Sequence, residues 1–167
     1  PIFSSKDSSI YYISTFDGTN NIFKVDLINS KSEKITNFKN NEIVSDLNYD
    51  NDKDVLYFDL TNNHFRQIFT INLFDSSMVK LIDSNSFDHR QISTSKEFYV
   101  FSDDRSGIHN LYYVGENNQG YISNTSGGSF MPDVNRNSEI VYSVFENGKF
   151  KIAIIDSIKI ADASNVG

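Results

Sequence analysis

Three histidines, His64, His89 and His109, are the side chains of this sequence that could bind a metal ion or move protons near neutral pH. Their positions lack the close spacing of a zinc site, and the chain has no cysteine to complete one. Carboxylates from distant parts of the chain would have to supply the remaining ligands. We therefore predict no metal site, and we expect the histidines to be exposed or hydrogen-bonded within the fold.

The stretch SGGS at 126–129 combines serine and glycine, as do turns that carry a serine nucleophile and loops that bind phosphate. A serine nucleophile elbow needs Gly-x-Ser-x-Gly between a strand and a helix, and phosphate binding also relies on a helix N-terminus. No helical periodicity follows this stretch. We interpret it as a turn, and we predict neither a catalytic residue nor a bound cofactor.

Two acidic clusters offer oxygen ligands, DNDKD at 50–54 and the pair Asp103 and Asp104. The first has the alternating carboxylates of a calcium loop but lacks the glycine and the distal glutamate of an EF-hand, so a solvated turn is favoured. In the second, we expect Asp103 and Arg105 to bond to the turn backbone or to each other. If these two residues also lie on an exposed rim, they would meet a partner.

A repeated unit must position these residues, and four apolar residues reveal it. Ile22, Ile68, Leu111 and Ile152 belong to equivalent strand-like segments, at intervals of 46, 43 and 41 residues. This period is typical of propeller blades, which are four-stranded antiparallel sheets. The segments alternate with the two-residue period of strands, and no helical period competes. The sequence is therefore predicted to be all-β.

Tight turns are expected to join the strands within the repeats. Gly18, Gly107 and Gly148 supply the positive φ that such turns need. The second repeat has no glycine there, so Asn62 or Asn63 would have to adopt the left-handed conformation. We assign structural turn roles to the three glycines and to four polar neighbours, Asp17, Asp103, Arg105 and Asn147.

The predicted fold is a β-propeller of about four blades, each a four-stranded antiparallel sheet, in a partial or open ring. The blades are expected at about 1–38, 43–83, 90–123 and 129–156, followed by an exit segment at 157–167. Within that segment, SIKI (157–160) could form a short outer strand. Aromatic residues recur at equivalent strand positions, and we expect core packing rather than a ligand-binding stripe for Tyr11, Tyr12, Tyr57, Phe58, Tyr99, Phe101 and Tyr142.

The composition narrows the classes of function. Hydrophobic residues make up 38% and aromatic residues 14% of the chain, which is typical of a folded β domain. With a formal net charge of −7 and scattered basic residues, the chain lacks the footprint of nucleic-acid binding. No apolar run approaches the roughly 18 residues that a membrane-spanning helix needs, so we expect no membrane insertion. Because the sequence begins at Pro1, we expect it to be part of a longer protein.

The repeat resembles the TolB-type β-propeller repeat. In the first blade the corresponding parts are PIFSSKD, IYYIS, FDG and NIFKVDL. In the third, FSDDRSGIHNLYYV is similar to the Ser-Asp-Arg-x-Gly-x-x-Asn-Leu-Tyr form of the same repeat. The resemblance implies a propeller of the bacterial periplasm or cell envelope that binds protein partners. The same repeat also occurs in the propellers of prolyl oligopeptidase-like serine peptidases.

From these features we expect a non-enzymatic, protein-binding module of a bacterial envelope-associated TolB-like protein, with a protein or peptide partner. The alternative is the propeller domain of a prolyl oligopeptidase-like serine peptidase whose catalytic domain lies outside this chain. A sugar-cleaving propeller is disfavoured because no paired carboxylates are identifiable. Since the faces between blades are apolar, an open set of blades would leave apolar ends, and we expect missing blades or self-association to cover them.

Overall fold

The computed structural model describes residues 1–62, 64–82 and 86–161. This part of the chain contains strands and turns but no helix, which confirms the all-β prediction. It therefore also contains no helix that is long and apolar enough to cross a membrane. The strands fall into two compact units, Pro1–Asn85 and Ser86–Gly167.

The first unit contains two four-stranded antiparallel sheets. Blade one consists of β1 (Ile2–Ser4), β2 (Ser9–Ser14), β3 (Asn21–Asp26) and β4 (Ser32–Lys34). Blade two consists of β5 (Ile43–Asp50), β6 (Val55–Asn62), β7 (Phe65–Asn72) and β8 (Met78–Lys80). In both sheets, strands that are neighbours in sequence are also neighbours in space, as expected of propeller blades.

Over its described residues, 86–161, the second unit contains a four-stranded and a three-stranded antiparallel sheet. Blade three consists of β9 (His89–Thr94), β10 (Phe98–Asp103), β11 (Asn110–Gly115) and β12 (Gln119–Tyr121). Blade four consists of β13 (Ser129–Val134), β14 (Ile140–Glu146) and β15 (Lys149–Ile155). The strand order again follows the sequence.

The short outer strand that we considered for SIKI (157–160) does not form. Instead Ile158 packs against the apolar cluster of the second unit, and the amide of Ala161 donates to the carbonyl of Tyr121 at 2.7 Å. Burial of Ile158 thus draws the segment back towards β12 of blade three, away from a position beside β15. The end of the expected exit segment, 162–167, lies outside the described residues.

The turns between paired strands place small or polar residues in the left-handed region. Asn147 and Gly148, with φ of 53° and 75°, form a two-residue turn between β14 and β15, as a type I′ hairpin requires. In blade two, Asn62 is the last residue of β6 and does not take the left-handed position. Asn63 lies outside the described residues.

Each unit has an apolar core between the facing sheets of its two blades. In the first unit, Tyr11 of blade one packs in one cluster with Leu56 and Phe58 of blade two. In the second, Val100 of blade three packs with Ile140 of blade four. Of the seven recurring aromatic residues, four are buried and three are half-buried. Tyr11 and Phe58 belong to the first cluster, and Tyr142 packs against the second.

The first strands of three blades share a bulge that the sequence did not reveal. Asp46 in β5, Gln91 in β9 and Met131 in β13 have φ of 58°, 59° and 52°, each where the strand register shifts. Residues other than glycine rarely have a positive φ, and a β-bulge is one of the places where they do. Within the second unit the bulges are joined, because Gln91 Oε1 accepts a hydrogen bond from the Met131 amide at 3.0 Å.

Candidate functional site

A buried carboxylate lies at the end of β10. Asp103 has no solvent exposure. Its oxygen Oδ2 lies 2.9 Å from Nδ1 of His89, and its Oδ1 accepts a hydrogen bond from the Tyr121 hydroxyl at 2.7 Å. Arg105 donates from Nε to both carboxylate oxygens, at 3.0 and 2.8 Å, and from its backbone amide at 2.9 Å. A buried charge is tolerated only when it is satisfied in this way.

These contacts set the ionisation of the cluster. Burial by itself would raise the pKa of Asp103, but hydrogen bonds from His89, Arg105 and Tyr121 lower it to about 2. Burial raises the pKa of Tyr121, and its hydrogen bond to Asp103 raises it further. Burial opposes the charge of Arg105, yet the carboxylate of Asp103 raises the pKa of the guanidinium above its usual value. Asp103 is therefore ionised, and Arg105 charged, at neutral pH.

The guanidinium group of Arg105 is held by two neighbours, which leave its two terminal nitrogens unpaired. Its central carbon lies 4.3 Å from the centroid of the Tyr112 ring, in cation–π geometry. The carboxylate of Asp103 accepts the hydrogen bonds from the Nε–H group. Within the described part of the chain, the terminal nitrogens Nη1 and Nη2 have no hydrogen-bond partner. Four N–H donors are thus fixed in orientation and unused.

Arg105 lines a pocket of about 440 Å³, here called the Arg105 pocket. Tyr112 and Tyr121 contribute aromatic walls, Gln119 an amide and Ile160 an aliphatic wall. A side chain at Gly120 would strike Ile160, because a Cβ built there lies 2.4 Å from Cγ2 of Ile160. The segment that returns to β12 therefore closes one side of the pocket.

A second polar group lies nearby in blade three. Ligand atoms of Asp88, Asp104 and His109 all lie within 4.8 Å of one another. Asp104 accepts a hydrogen bond from the Asp88 amide at 2.8 Å, and Arg90 is paired with the Asp88 carboxylate. Burial, and then the charge of Arg90, lower the pKa of His109. Because Arg90 already neutralises Asp88, a metal ion would have to displace it, and the group is explained as an internal ion pair beside a histidine.

The residues expected in turns lie at the hairpins. Gly18 and Gly107 have φ of 86° and 88° in the turns that follow β2 and β10. Asp17 accepts a hydrogen bond from the Thr19 amide at 3.3 Å and pairs with Lys34.

Asp103 and Arg105 bond to each other, but they also recruit two residues that sequence reasoning missed. His89 and Tyr121 come from the strands on either side of the β10–β11 hairpin. His89 is the cross-strand partner of Asp103, and Tyr121 is the partner of Tyr112. A correct prediction of the strand register would have placed both residues in the cluster.

Blade four carries a different kind of surface. One side of its sheet packs on blade three through Ile140, whereas the other side exposes apolar residues. Cross-strand pairing places Val141 opposite Ile154 on that outer side, with Phe150 and Ile152 beside them. These four side chains are 37–79% exposed. Such a contiguous apolar area is typical of a surface that another protein segment covers.

Comparison with known proteins identifies the fold. No protein-family model and no curated protein sequence matches the chain. TolB from Acinetobacter baumannii matches with a TM-score of 0.73 and 19% identity over 91% of this chain and 39% of that chain. A structure described as TolB from Agrobacterium tumefaciens gives 0.77 and 10% identity over 92% of this chain and 59% of that chain. The β-propeller domain of the Trilobed protease from Pyrococcus furiosus gives 0.58 and 16%, over 96% and 69%.

These likenesses show the fold, that of a TolB-like β-propeller, as the sequence predicted. The chain spans 39% and 59% of the two TolB chains. Identities of this size carry no activity from those proteins to this one.

Proposed function

We propose that this chain is a non-enzymatic module that binds a protein or peptide, as part of a TolB-like protein of the bacterial envelope. The observation that carries the proposal is the Arg105 pocket. It presents a pre-oriented cation, an amide and aromatic walls at the surface of blade three, which is the composition of a recognition site. The likeness to two bacterial TolB structures supports the envelope location.

The side chains around the pocket favour binding over catalysis. Ser106 lines the pocket, but its hydroxyl donates to the carbonyl of Ile108 at 2.9 Å, so no base activates it. Ser102 and His109 resemble a nucleophile and its base, since Ser102 Oγ lies 3.4 Å from Nδ1 of His109. However, Ser102 is fully buried and donates to the carbonyl of Ser129 at 2.7 Å, where no substrate can reach it.

A selection experiment tests the binding function. The chain is immobilised and presented with a library of random peptides that carry free carboxyl ends, and selected peptides are then measured individually. We expect binding that Gln119→Trp weakens at least about tenfold, because the indole would fill the pocket. Asn118→Trp, an exposed neighbour that does not line the pocket, is the matched control.

Two results would contradict the proposal. One is a selection that yields no ligand, and the other is a set of ligands that respond equally to the two tryptophan variants. Incubation of the selected peptides with the chain, followed by mass spectrometry, checks the non-enzymatic part. Intact peptides are expected, whereas cleavage that Gln119→Trp abolishes would replace binding with hydrolysis.

The alternative is the propeller domain of a prolyl oligopeptidase-like serine peptidase. Its support is the likeness to the β-propeller domain of the Trilobed protease. The sequence that flanks this chain in the complete gene separates the two proposals. A Gly-x-Ser-x-Gly strand–turn–helix segment downstream would favour the peptidase, and a signal peptide with an α/β domain upstream would favour the envelope protein.

A further inference from the structure

We infer that the Arg105 pocket binds the carboxylate group of a peptide. This inference rests on the proposed function and names the ligand chemistry of the same site. It starts from the unused end of the guanidinium. Arginine has five N–H donors in a planar fork, and Asp103 engages only Nε–H. The remaining edge, Nη1 and Nη2, has the spacing that matches two carboxylate oxygens.

The cluster behind Arg105 leaves this edge available. Asp103 does not depend on the terminal nitrogens, since His89, Tyr121 and the Arg105 backbone amide supply its other hydrogen bonds. Ion pairing through Nε and the cation–π contact with Tyr112 hold the guanidinium group in place from two sides. A ligand therefore meets a fork that is already ordered, and binding does not have to pay for immobilising a long side chain.

The rest of the pocket indicates what accompanies the carboxylate. Ile160 and the rings of Tyr112 and Tyr121 form apolar walls, while the amide of Gln119 can both donate and accept hydrogen bonds. A peptide unit fits these features because its backbone pairs with an amide and its side chain packs on apolar walls. A volume of about 440 Å³ accommodates a short segment. The expected ligand has an aliphatic or aromatic residue at or next to the carboxylate.

The carboxylate has two sources in a peptide, the C-terminus and an acidic side chain, and four probes separate them. N-acetyl-Gly-Gly-Leu is titrated into the chain as the free acid and as the carboxamide. N-acetyl-Gly-Asp-Leu-amide is compared with its Asn counterpart. Binding is followed by NMR shifts of Arg105 Nε–H and of the Gln119 and Tyr121 amides. We expect the carboxylate form of at least one pair to bind at least about tenfold more tightly than its neutral form, since charged hydrogen bonds are strong.

Variants locate the effect at the guanidinium. Arg105→Lys keeps a positive charge but loses the planar fork, and we expect most of the preference for carboxylate to disappear. Arg105→Gln should remove the preference entirely. Arg136→Gln, which alters an exposed arginine in the turn between β13 and β14, is the matched control and should retain it. If Arg105 were only structural, its replacement would lower stability and leave the ratio of carboxylate to neutral affinity unchanged.

The outcomes separate this inference from the proposed function. Equal affinity for charged and neutral probes overturns the inference, as does the absence of binding by all four at millimolar concentration. An unchanged preference in Arg105→Lys also overturns it. If selected peptides bind the wild-type chain and respond to Gln119→Trp but ignore amidation, the binding function stands and the carboxylate assignment fails. The acid and amide comparison uses the unmodified protein, so it holds even if a variant does not fold.

Discussion

The β2–β3 hairpin of blade one and the β10–β11 hairpin of blade three share one backbone design. Gly18 donates its amide to the carbonyl three residues earlier at 2.9 Å, and Gly107 does the same at 2.8 Å. Three residues after each glycine stands a fully buried asparagine, Asn21 or Asn110. The two turns are therefore superimposable in their hydrogen bonds as well as in sequence spacing.

In blade one, the asparagine fastens the hairpin to the segment after β4. Asn21 Oδ1 accepts hydrogen bonds from the Phe38 amide at 2.8 Å and from the Thr36 hydroxyl at 2.9 Å. The hydroxyl of Thr36 in turn accepts from the Ile22 amide at 2.9 Å. These bonds satisfy backbone groups where the sheet ends.

In blade three, the same bonds recur with related residues. Asn110 Oδ1 accepts from the Thr125 amide at 3.0 Å and from the Ser123 hydroxyl at 3.1 Å. The hydroxyl of Ser123 accepts from the Leu111 amide at 2.8 Å. Both blades use the asparagine and a hydroxyl to join the hairpin to the segment after the fourth strand, so blades one and three share this network.

The difference lies at the positions that flank the turn. Ser14 of blade one is paired with Asn21 as Asp103 is paired with Asn110, and its hydroxyl caps the Phe16 amide at 3.1 Å where Asp103 caps Arg105. A serine is therefore sufficient to close the turn. The ions of blade three are additional to what closing the turn requires, which is why we regard their cluster as a site.

The largest expected effect comes from removing the acid that distinguishes blade three. Asp103→Ala leaves His89, Tyr121 and the Nε–H of Arg105 without their acceptor, and we expect about 3 kcal/mol less stability. Ser14→Ala loses a single exposed hydrogen bond and should cost less than about 1 kcal/mol. Amide hydrogen exchange in β10 and in β2 measures the two units separately. Equal costs would mean that the cluster is no stronger than an ordinary turn cap.

The shared asparagines should give the next largest effect, and the same one in both blades. Asn21→Ala and Asn110→Ala each leave a partly buried amide and a buried hydroxyl without their acceptor, at a cost of about 2 kcal/mol. Denaturant unfolding of each variant provides the measurement, with Asn118→Ala, an exposed asparagine, as the control. A large effect in only one blade would show that the network is not a common element of the repeat.

Acid should distinguish the blades through Asp103, whose folded pKa is lowered to about 2. A carboxyl with a depressed folded pKa stabilises fully above its unfolded pKa of about 3.9, and this contribution is lost as pH falls towards about 2. Between about pH 5 and about pH 2, the free energy of unfolding should therefore fall by up to about 2 kcal/mol less in Asp103→Asn than in the wild type. NMR titration of the Asp103 carboxyl carbon gives the pKa directly. Parallel stability curves, or a midpoint near the usual aspartate value, would contradict the assignment.

The sequence predicted the repeat, the all-β fold and the pairing of Asp103 with Arg105 because these are local patterns. Strand alternation and turn chemistry can be recognised within a few residues, and the repeat follows because these local patterns recur every 41–46 residues. It did not predict His89, Tyr121 or Ile160, because each reaches the site through strand register or through a chain that folds back.

The bulges at Asp46, Gln91 and Met131 were also missed. None of the three is a glycine, so the residue type does not mark the positive φ. A positive φ in a residue with a side chain depends on the surrounding sheet and leaves no local signal.

The smallest expected effect concerns the two turn glycines. Gly18 and Gly107 have nearly the same positive φ, and a Cβ added at either one would meet no atom within 4 Å. Alanine at each position therefore bears only the cost of the left-handed backbone, about 1 kcal/mol. Gly18→Ala and Gly107→Ala should lower the thermal midpoint of their units by similar amounts, which hydrogen exchange during heating resolves.

A distinctly larger cost for Gly107→Ala would change the comparison between the blades. The pocket residues Arg105 and Ser106 directly precede Gly107, so strain at the glycine would pass to the guanidinium. The cluster of blade three would then restrict its turn more tightly than blade one restricts its own. Equal losses of stability would instead show that the ion pair does not affect the turn. This result is expected if the repeat supplies the scaffold and Asp103 and Arg105 supply the site.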